Sequence, residues 1–187
     1  MSIEEYLRRE EQGAIKHEYH DGFIVAMCGG TVAHARIAVN VTRILDDQIS
    51  GPCHAHKRDL KVKIDAHLVD PDASVSCEPA DWDQNARFLR FPRLIGEVFS
   101  PSTAAYDRGE KFALSQKLPS LQAYVLMSSH SQIVEMFQRS SGTLWTYQMD
   151  TAENHRIPLG SLGLEFTMDQ VYARLNIPKH MQISFEA

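Results

Sequence analysis

The chain has 187 residues, 43% of them hydrophobic and 23% charged, which is enough for one domain with a substantial core. A formal net charge of −5 excludes a surface that binds nucleic acid through overall positive charge, so such binding would require a local basic face. No apolar run approaches the roughly 20 residues of a membrane helix, and the acidic N-terminus differs from a secretory signal. We therefore expect one domain over residues 1–187, located in the cytoplasm.

The three cysteines, Cys28, Cys53 and Cys77, lie far apart without CxxC spacing. This distribution argues against a disulfide framework and against a zinc knuckle. The segment from Cys53 to His56 contains two histidines, but no second ligand pair stands at a suitable spacing for zinc. We expect this segment to lie at the edge of a sheet.

The first elements carry clear local signals. Ser2 and Glu5 have the spacing of a capping box, which predicts a helix from Ile3 to about Glu11. In the following HEYHDGFIVAM segment, a central Asp-Gly pair lies between alternating apolar residues and predicts a β-hairpin. Glu18 would then lie on the first strand of the hairpin.

The rest of the chain mixes helical and strand patterns. A helix is predicted from Thr31 to about Ile49, and the alternation in DLKVKI predicts a strand with Lys61 and Lys63 on its exposed face. The further expectations are strands at 71–77, 94–99, 123–127, 133–138 and 143–149, an edge strand near 157–159, helices at 107–117 and 167–175, and an irregular loop at 78–90. This order of elements predicts an α+β fold with a mixed central sheet flanked by helices.

Glu97 stands inside the apolar run LIGEVF, where a carboxylate is costly unless a cation compensates it. With Asp72 and Lys111 it forms a minimal set for phosphodiester hydrolysis, because Mg²⁺ binds carboxylates and a lysine stabilises charge on a phosphate. The spacing of these residues is not specific by itself. Asp72 could serve a turn, Lys111 could form an exposed ion pair with Asp107, and Glu18 could be solvated.

Three segments, PDASVSC, LIGEVFSPST and YDRGEK, together resemble the Uma2 family of the PD-(D/E)xK nuclease superfamily. The hairpin segment, His34 with the helix after it, LPSLQAYVLM and IPLGSLGLEFTMDQVYARL are also similar to family segments, so the resemblance covers nearly the whole chain. Its most specific part is E-V-x-S-P-S-T combined with D-R-x-x-K.

The resemblance implies a restriction-endonuclease-like core and a Mg²⁺- or Mn²⁺-dependent endonuclease that acts on DNA. Asp72, Glu97 and the backbone carbonyl of Val98 would bind the metal, and Glu18 would complete the acidic cluster. Lys111 would position or polarise the attacking water. A homodimer would suit an enzyme that cuts both strands of a duplex.

Two positions depart from the family pattern. The general superfamily motif has its lysine two residues after the glutamate, where this chain has Phe99, and the resemblance implies that Lys111 replaces it from the next helix. Ser115 stands where the family commonly has tyrosine, which leaves the secondary substrate contacts open. His34 could be a neighbour of the site or a packed residue.

Two alternatives remain open, besides a hydrolase that acts on some phosphoester other than nucleic acid. Seven basic residues could form a local phosphate-binding face or could be scattered solvated charges: Lys57, Arg58, Lys61, Lys63, Arg87, Arg90 and Arg93. The chain could also be a catalytically inactive nuclease-fold module that binds nucleic acid or protein. The net negative charge and Ser115 favour this second alternative, whereas the retained acids and lysine favour the enzyme.

Overall fold

A computed structural model of the chain describes residues 1–27, 29–151 and 156–179. Its α-helices are α1 (Ile3–Gln12), α2 (Val32–Gln48), α3 (Ala104–Arg108), α4 (Glu110–Ser115) and α5 (Met168–Val171). Its strands are β1 (His17–His20), β2 (Phe23–Ala26), β3 (His54–Lys57), β4 (Lys61–Ile64), β5 (His67–Val69), β6 (Ala73–Ser76), β7 (Phe88–Leu89), β8 (Pro92–Phe99), β9 (Ala123–Ser128), β10 (Val134–Ser141), β11 (Leu144–Asp150), β12 (Arg156–Leu159) and β13 (Leu164–Thr167). None of the described helices combines the length and apolar character needed to cross a bilayer.

The strands form three sheets. The six-stranded sheet has the order β11-β10-β9-β8-β6-β3, with β8 and β9 parallel and the other pairs antiparallel. The five-stranded sheet has the order β2-β1-β5-β4-β7, and β12 pairs with β13 separately. The predicted α+β fold with a mixed central sheet and flanking helices is confirmed.

The central strand β8 separates two apolar cores. Leu94 and Val98 pack into the core that α2 and α5 cover, whereas Ile95 and Phe99 pack into the core shared with α4 and the five-stranded sheet. Side chains alternate along a strand, so Glu97 lies on the same face as Ile95 and Phe99. Strand alternation therefore directs this acid towards α4 and the five-stranded sheet.

The local signals near the N-terminus hold. The Ser2 hydroxyl accepts a hydrogen bond from the Glu5 backbone N–H at 3.1 Å, as expected of the N-cap of α1. The hairpin turn is made by Asp21 and Gly22, whose φ angles are +45° and +96°. This left-handed backbone at both central residues is the reason for the Asp-Gly sequence.

The helix expected over 107–117 is wrong in its bounds, because two short helices meet at Gly109. A Cβ atom at Gly109 would lie 2.9 Å from the carbonyl oxygen of Ala105, so this tight junction excludes a side chain. The loop expected at 78–90 contains a 3₁₀ turn (Pro79–Asp81) and β7. The last helix ends at Val171, four residues earlier than expected.

The expectation that Lys61 is exposed is wrong. Only 5% of this residue is accessible, and its ammonium lies 3.6 Å from an Asp70 oxygen and 3.8 Å from Glu10. It also donates to the carbonyl of His17 at 3.0 Å. The ammonium also lies over the ring of Tyr6, 5.5 Å from the ring centre. Since Tyr6 belongs to α1, this helix covers the face of β4 that the alternating pattern had assigned to solvent.

The expectation about disulfides is wrong for one pair, since Cys53 and Cys77 are joined. They directly flank two strands, and His54 of β3 faces Ser76 of β6 in the antiparallel register. The strand pairing thus brings the two thiols together despite their distance in sequence. Cys28 lies outside the described residues. The histidine segment lies on β3, the edge strand of the six-stranded sheet, as expected.

Candidate active site

The ammonium of Lys111 joins two carboxylates that come from different sheets. Its Nζ lies 2.9 Å from Glu18 Oε1 on β1 and 2.9 Å from Glu97 Oε1 on β8. The accessible fractions of Glu18, Glu97 and Lys111 are 5%, 3% and 4%. The alternative of an exposed Asp107–Lys111 pair therefore does not hold.

Glu18 is held by hydrogen-bond donors on both of its oxygens. Besides Lys111, Oε1 accepts the backbone N–H of Asp70 at 3.0 Å, and Oε2 accepts the Tyr106 hydroxyl at 3.0 Å and lies 3.3 Å from a His20 ring nitrogen. Burial opposes ionisation of Glu18, but Lys111 and these hydrogen bonds outweigh it and hold the pKa below its ordinary value. Glu18 is therefore ionised, and its donors hold it in one orientation next to Lys111.

Asp72 connects α2 to β8. Its Oδ1 lies 2.9 Å from Nε2 of His34, and its Oδ2 accepts the backbone N–H of Val98 at 2.8 Å. Burial raises the pKa of the Asp72 carboxyl, and this effect exceeds the opposite one of His34. The carboxylate is thus directed inward to two other elements rather than serving a turn.

His34 is positioned by the segment before α2. The Thr31 hydroxyl caps the helix by accepting the His34 backbone N–H at 3.2 Å. A Cβ atom at Gly30 would lie 2.9 Å from Cγ and Nδ1 of the His34 ring, so only glycine leaves room for the ring in this position. The structure therefore places His34 beside the site, through Asp72.

Glu97 is a buried carboxylate with incomplete compensation. Burial raises its pKa well above the ordinary value, and Asp72 and Asp107 add to this effect while Lys111 opposes it. Although the Lys111 ammonium is 2.9 Å away, Oε1 has no aligned hydrogen-bond donor among the described residues. A buried oxygen of this kind is costly unless a cation or water approaches it.

All these groups line one cavity of about 230 Å³. Its walls carry the carboxylates of Glu18, Asp70, Asp72, Glu97 and Asp107, the cations of Lys111 and Arg58, the ring of His34, and Val25, Ala26, Met27, Val98, Thr103 and Tyr106. Five carboxylates line the cavity together with two permanent positive charges, and a third cation, Lys61, lies 3.6 Å from Asp70. Carboxylates therefore still outnumber cations, which suits a bound metal ion. Among the described residues, no three His, Cys, Asp or Glu side chains already converge in a metal-binding arrangement.

Asp70, Asp107 and Tyr106 were missed by sequence reasoning as members of this site. Asp107 lies on α3 and Lys111 on α4, so the break at Gly109, and not a shared helix face, places both at the cavity. Asp70 reaches the cavity because β5 pairs with β1, and Tyr106 reaches it from α3 with its hydroxyl on Glu18; no local pattern marks either residue.

Ser115 does not face the cavity. Its hydroxyl is fully buried and donates to the carbonyl of Lys111 at 2.7 Å, within the same helix. The departure from the family's tyrosine therefore affects the interior of α4 and not the lining of the site. The position two residues after Glu97 is filled by Phe99, which packs in the core.

The seven basic residues do not form one face. Lys61 is buried, Arg87 pairs with Glu11 at 2.8 Å, and Arg93 donates to a carbonyl at 3.1 Å. Only Lys57 and Arg58 line a groove that adjoins the site. The alternative of scattered charges describes the others better.

A family model, Uma2, described as "Putative restriction endonuclease", matches residues 3–169. Two uncharacterized proteins of Synechocystis sp. (strain ATCC 27184 / PCC 6803 / Kazusa) are similar to this chain. One is 39% identical over 178 residues, covering 94% of this chain and 93% of its own length, and the other is 30% identical over 161 residues, covering 84% and 91%.

A crystal structure of a "putative nuclease belonging to DUF820" from Anabaena variabilis ATCC 29413 aligns with a TM-score of 0.73. The alignment covers 91% of this chain and 97% of that one at 16% identity, so this similarity shows a shared fold. The family and the fold support a nuclease role. The match over nearly the whole chain and the two full-length relatives show that the chain belongs to the Uma2 family.

Proposed function

We propose that this chain is a divalent-metal-dependent endonuclease that hydrolyses phosphodiester bonds of DNA, with residues 1–187 as its single catalytic domain. The observation that carries this proposal is the convergence of Glu18, Asp72, Glu97 and Lys111 on one cavity. These four residues come from β1, the position directly before β6, β8 and α4, so no local structural requirement explains their meeting.

Asp72, Glu97 and the backbone carbonyl of Val98 are the groups that would hold Mg²⁺ or Mn²⁺. The fit rests on the donor set, since hard cations take oxygen ligands and Mg²⁺ needs only one or two carboxylates besides waters and phosphate. It also rests on Glu97 Oε1, a buried oxygen that lies near the Lys111 ammonium but has no aligned hydrogen-bond donor among the described residues, and on the excess of carboxylates in the cavity. The metal would lower the pKa of a bound water and stabilise charge on the phosphate.

Lys111 acts in this proposal as a permanent cation. Burial opposes its charge, but Glu97 and Glu18 outweigh this and raise its pKa well above the ordinary value. It therefore cannot serve as a base near neutral pH. Its ammonium lies 2.9 Å from one oxygen of each carboxylate and carries three N–H donors, so it can also donate to a water or to a phosphate oxygen.

Glu18 and His34 position the other groups. Both oxygens of Glu18 already accept donors, so we assign it mainly the task of holding Lys111, with direct metal contact as its secondary role. The His34 ring nitrogen lies within hydrogen-bond distance of Asp72 Oδ1. This contact orients the Asp72 carboxylate before substrate binds.

We also propose that the enzyme works in the cytoplasm as a homodimer. Two copies related by a two-fold axis present two sites to the two strands of a duplex. Cys53 and Cys77 are joined in the structure, so in a reducing cytoplasm the antiparallel pairing of β3 with β6 would have to hold this edge of the sheet without the disulfide.

The test is cleavage of plasmid DNA by the purified full chain with Mg²⁺, with Mn²⁺ and with EDTA. Asp72→Asn and Glu97→Gln are expected to abolish metal-dependent cleavage, with circular dichroism verifying that both variants fold. Asp83→Asn, an exposed aspartate outside the cavity lining, is the control and keeps full activity. Equal cleavage by the Asp72 and Glu97 variants and the wild type would disprove the proposed roles.

One observation favours a second candidate, an inactive nuclease-fold module that binds nucleic acid or protein. Within the described residues no preformed three-ligand metal cluster exists. If DNA binds but no divalent metal supports cleavage, and neither Asp72→Asn nor Glu97→Gln changes the affinity for Mg²⁺, this second candidate replaces the first.

A further inference from the structure

A second cavity, of about 580 Å³, adjoins the candidate active site and is not used by the proposed chemistry. It is a groove between α2 and the edge strand β3. Three residues, His34, Arg58 and Asp72, line both cavities, so the groove opens directly beside the proposed metal ligands.

The groove has a small, aliphatic floor and a cationic wall. Ala35, Ala38, Val39 and Ala55 form the apolar part, and α2 contributes the first three of them. Val39 is 56% exposed and extends the apolar surface that the three alanines form. Successive turns of α2 therefore present a continuous apolar surface along the groove.

The cationic wall has unused charge. Arg43, Lys57 and Arg58 line the groove and form no ion pair with any carboxylate in the described part of the chain. The side-chain contact of Arg58 is a weak one with the Met27 sulfur at 3.9 Å. Three aspartates also line the groove: Asp59 lies 2.7 Å from the Lys16 ammonium, Asp72 lies 2.9 Å from His34 Nε2, and Asp46 is exposed on α2. A guanidinium with free donors at the junction of the two cavities is suited to a phosphate.

The size of the groove restricts its ligand. Its volume lies within the range of about 300–1,000 Å³ typical of small-molecule sites, which is enough for one nucleotide but not for a double helix. Enzymes that take a nucleotide out of the stack hold the base between apolar or aromatic side chains. The aliphatic floor supplies such a surface, and the cationic wall matches the phosphates on either side.

We propose that the α2–β3 groove binds one unstacked nucleotide next to the scissile phosphate, with Arg58 contacting the phosphate at the junction. This proposal rests on the proposed nuclease function and adds its substrate class: nucleic acid that is single-stranded, or locally unpaired, at the cleavage point. A fully stacked duplex cannot place a base in the groove without first losing its pairing.

The test is the affinity of the full chain for a fluorescent single-stranded oligonucleotide and for the duplex of the same sequence, measured by anisotropy in EDTA. The single strand is expected to bind at least about tenfold more tightly, because the duplex must first unstack and unpair the nucleotide that the groove takes up. Arg58→Ala is expected to weaken single-strand binding about tenfold and to reduce the salt slope by about 0.7. Ala35→Trp, which fills the groove from an exposed position, is expected to weaken it about tenfold as well.

Two matched controls lie on the same helix outside the groove lining. Arg36→Ala removes an exposed charge, and Val32→Trp adds the same bulk at a residue that is 85% exposed. Both are expected to stay within about twofold of the wild type, as each lacks contact with the seated nucleotide. Equal affinity for the duplex and the single strand, or an unchanged affinity of Ala35→Trp, would overturn the proposal.

The groove and the nuclease function can fail separately. If no metal supports cleavage but Ala35→Trp still weakens single-strand binding, the groove stands and the catalytic proposal falls. If the wild type cleaves DNA and Ala35→Trp cleaves single-stranded and duplex DNA at wild-type rates, the groove proposal falls and the nuclease stands.

Discussion

Lys111 Nζ lies 2.9 Å from Glu97 Oε1, although the turn at Ser100–Thr103 and the whole of α3 separate the two residues along the chain. The turn is closed by the Thr103 hydroxyl, which accepts the Ser100 backbone N–H at 3.0 Å. α3 ends before Gly109, and α4 begins after it. Lys111 in the first turn of α4 lies next to β8, the strand that carries Glu97. The S-P-S-T and D-R-G-E-K segments thus reverse the direction of the chain, and this reversal brings Lys111 into contact with Glu97.

Lys111→Met is expected to lower the free energy of unfolding by about 3–5 kcal/mol, because it leaves two buried carboxylates without their cation. It is also expected to abolish metal-dependent cleavage. Urea unfolding at pH 7 measures the first effect. Lys117→Met removes an exposed lysine that pairs with Asp65, and this control is expected to cost no more than about 1 kcal/mol. Equal stability of the two variants would contradict the buried ion pairs.

Mg²⁺ or Mn²⁺ is expected to raise the melting temperature of the wild type. At a tenfold excess over the dissociation constant, linkage contributes about 1.4 kcal/mol, which corresponds to about 3–6 °C for a chain of this length. Glu97→Gln is expected to lose this shift, whereas the exposed Glu110→Gln keeps it. A shift of the same size in Glu97→Gln would show that the metal binds elsewhere.

The pH dependence of stability provides a test of the Glu97 environment in EDTA. Burial raises the pKa of Glu97, so its stabilising contribution is complete below the unfolded value of about 4.3 and is lost as pH rises through the higher folded value. The free energy of unfolding of the wild type should therefore fall over this window.

Glu97→Gln lacks this titration and is expected to show a shallower fall in the same series of urea titrations. Asp72, whose pKa is also raised by burial, titrates in both proteins, so the difference between the two curves reports Glu97 together with its interaction with Asp72. Superimposable curves would mean that Glu97 is fully compensated in the folded chain.

Gly30→Ala is expected to displace the ring of His34 and to lower the cleavage rate by about 10–100-fold, as loss of a residue that orients a metal ligand usually does. Gly29→Ala is the matched control, since a Cβ atom there has no neighbour within 4 Å. Cleavage rates at saturating Mg²⁺ measure both. Identical rates for the two variants would show that His34 has no part in orienting Asp72.

Local signals in the sequence determined several features of this protein correctly. The cap at Ser2, the Asp21-Gly22 turn and the helix beginning after Thr31 each depend on residues within a few positions of one another. Such patterns report local backbone preferences and caps, which hold wherever the segment packs. The resemblance to Uma2 added the fold and the pairing of Glu97 with a lysine beyond the usual motif.

Only the tertiary structure decided which residues share the cavity and which are buried. The sequence pattern assigned Lys61 to solvent, but α1 covers it, and it separated Cys53 from Cys77, which β3 and β6 bring together. Asp70 enters the site for the same reason: the order of strands in a sheet and the helix packed on it are set by contacts between distant segments. A periodic pattern states which face of an element is apolar, but not which other element covers its polar face.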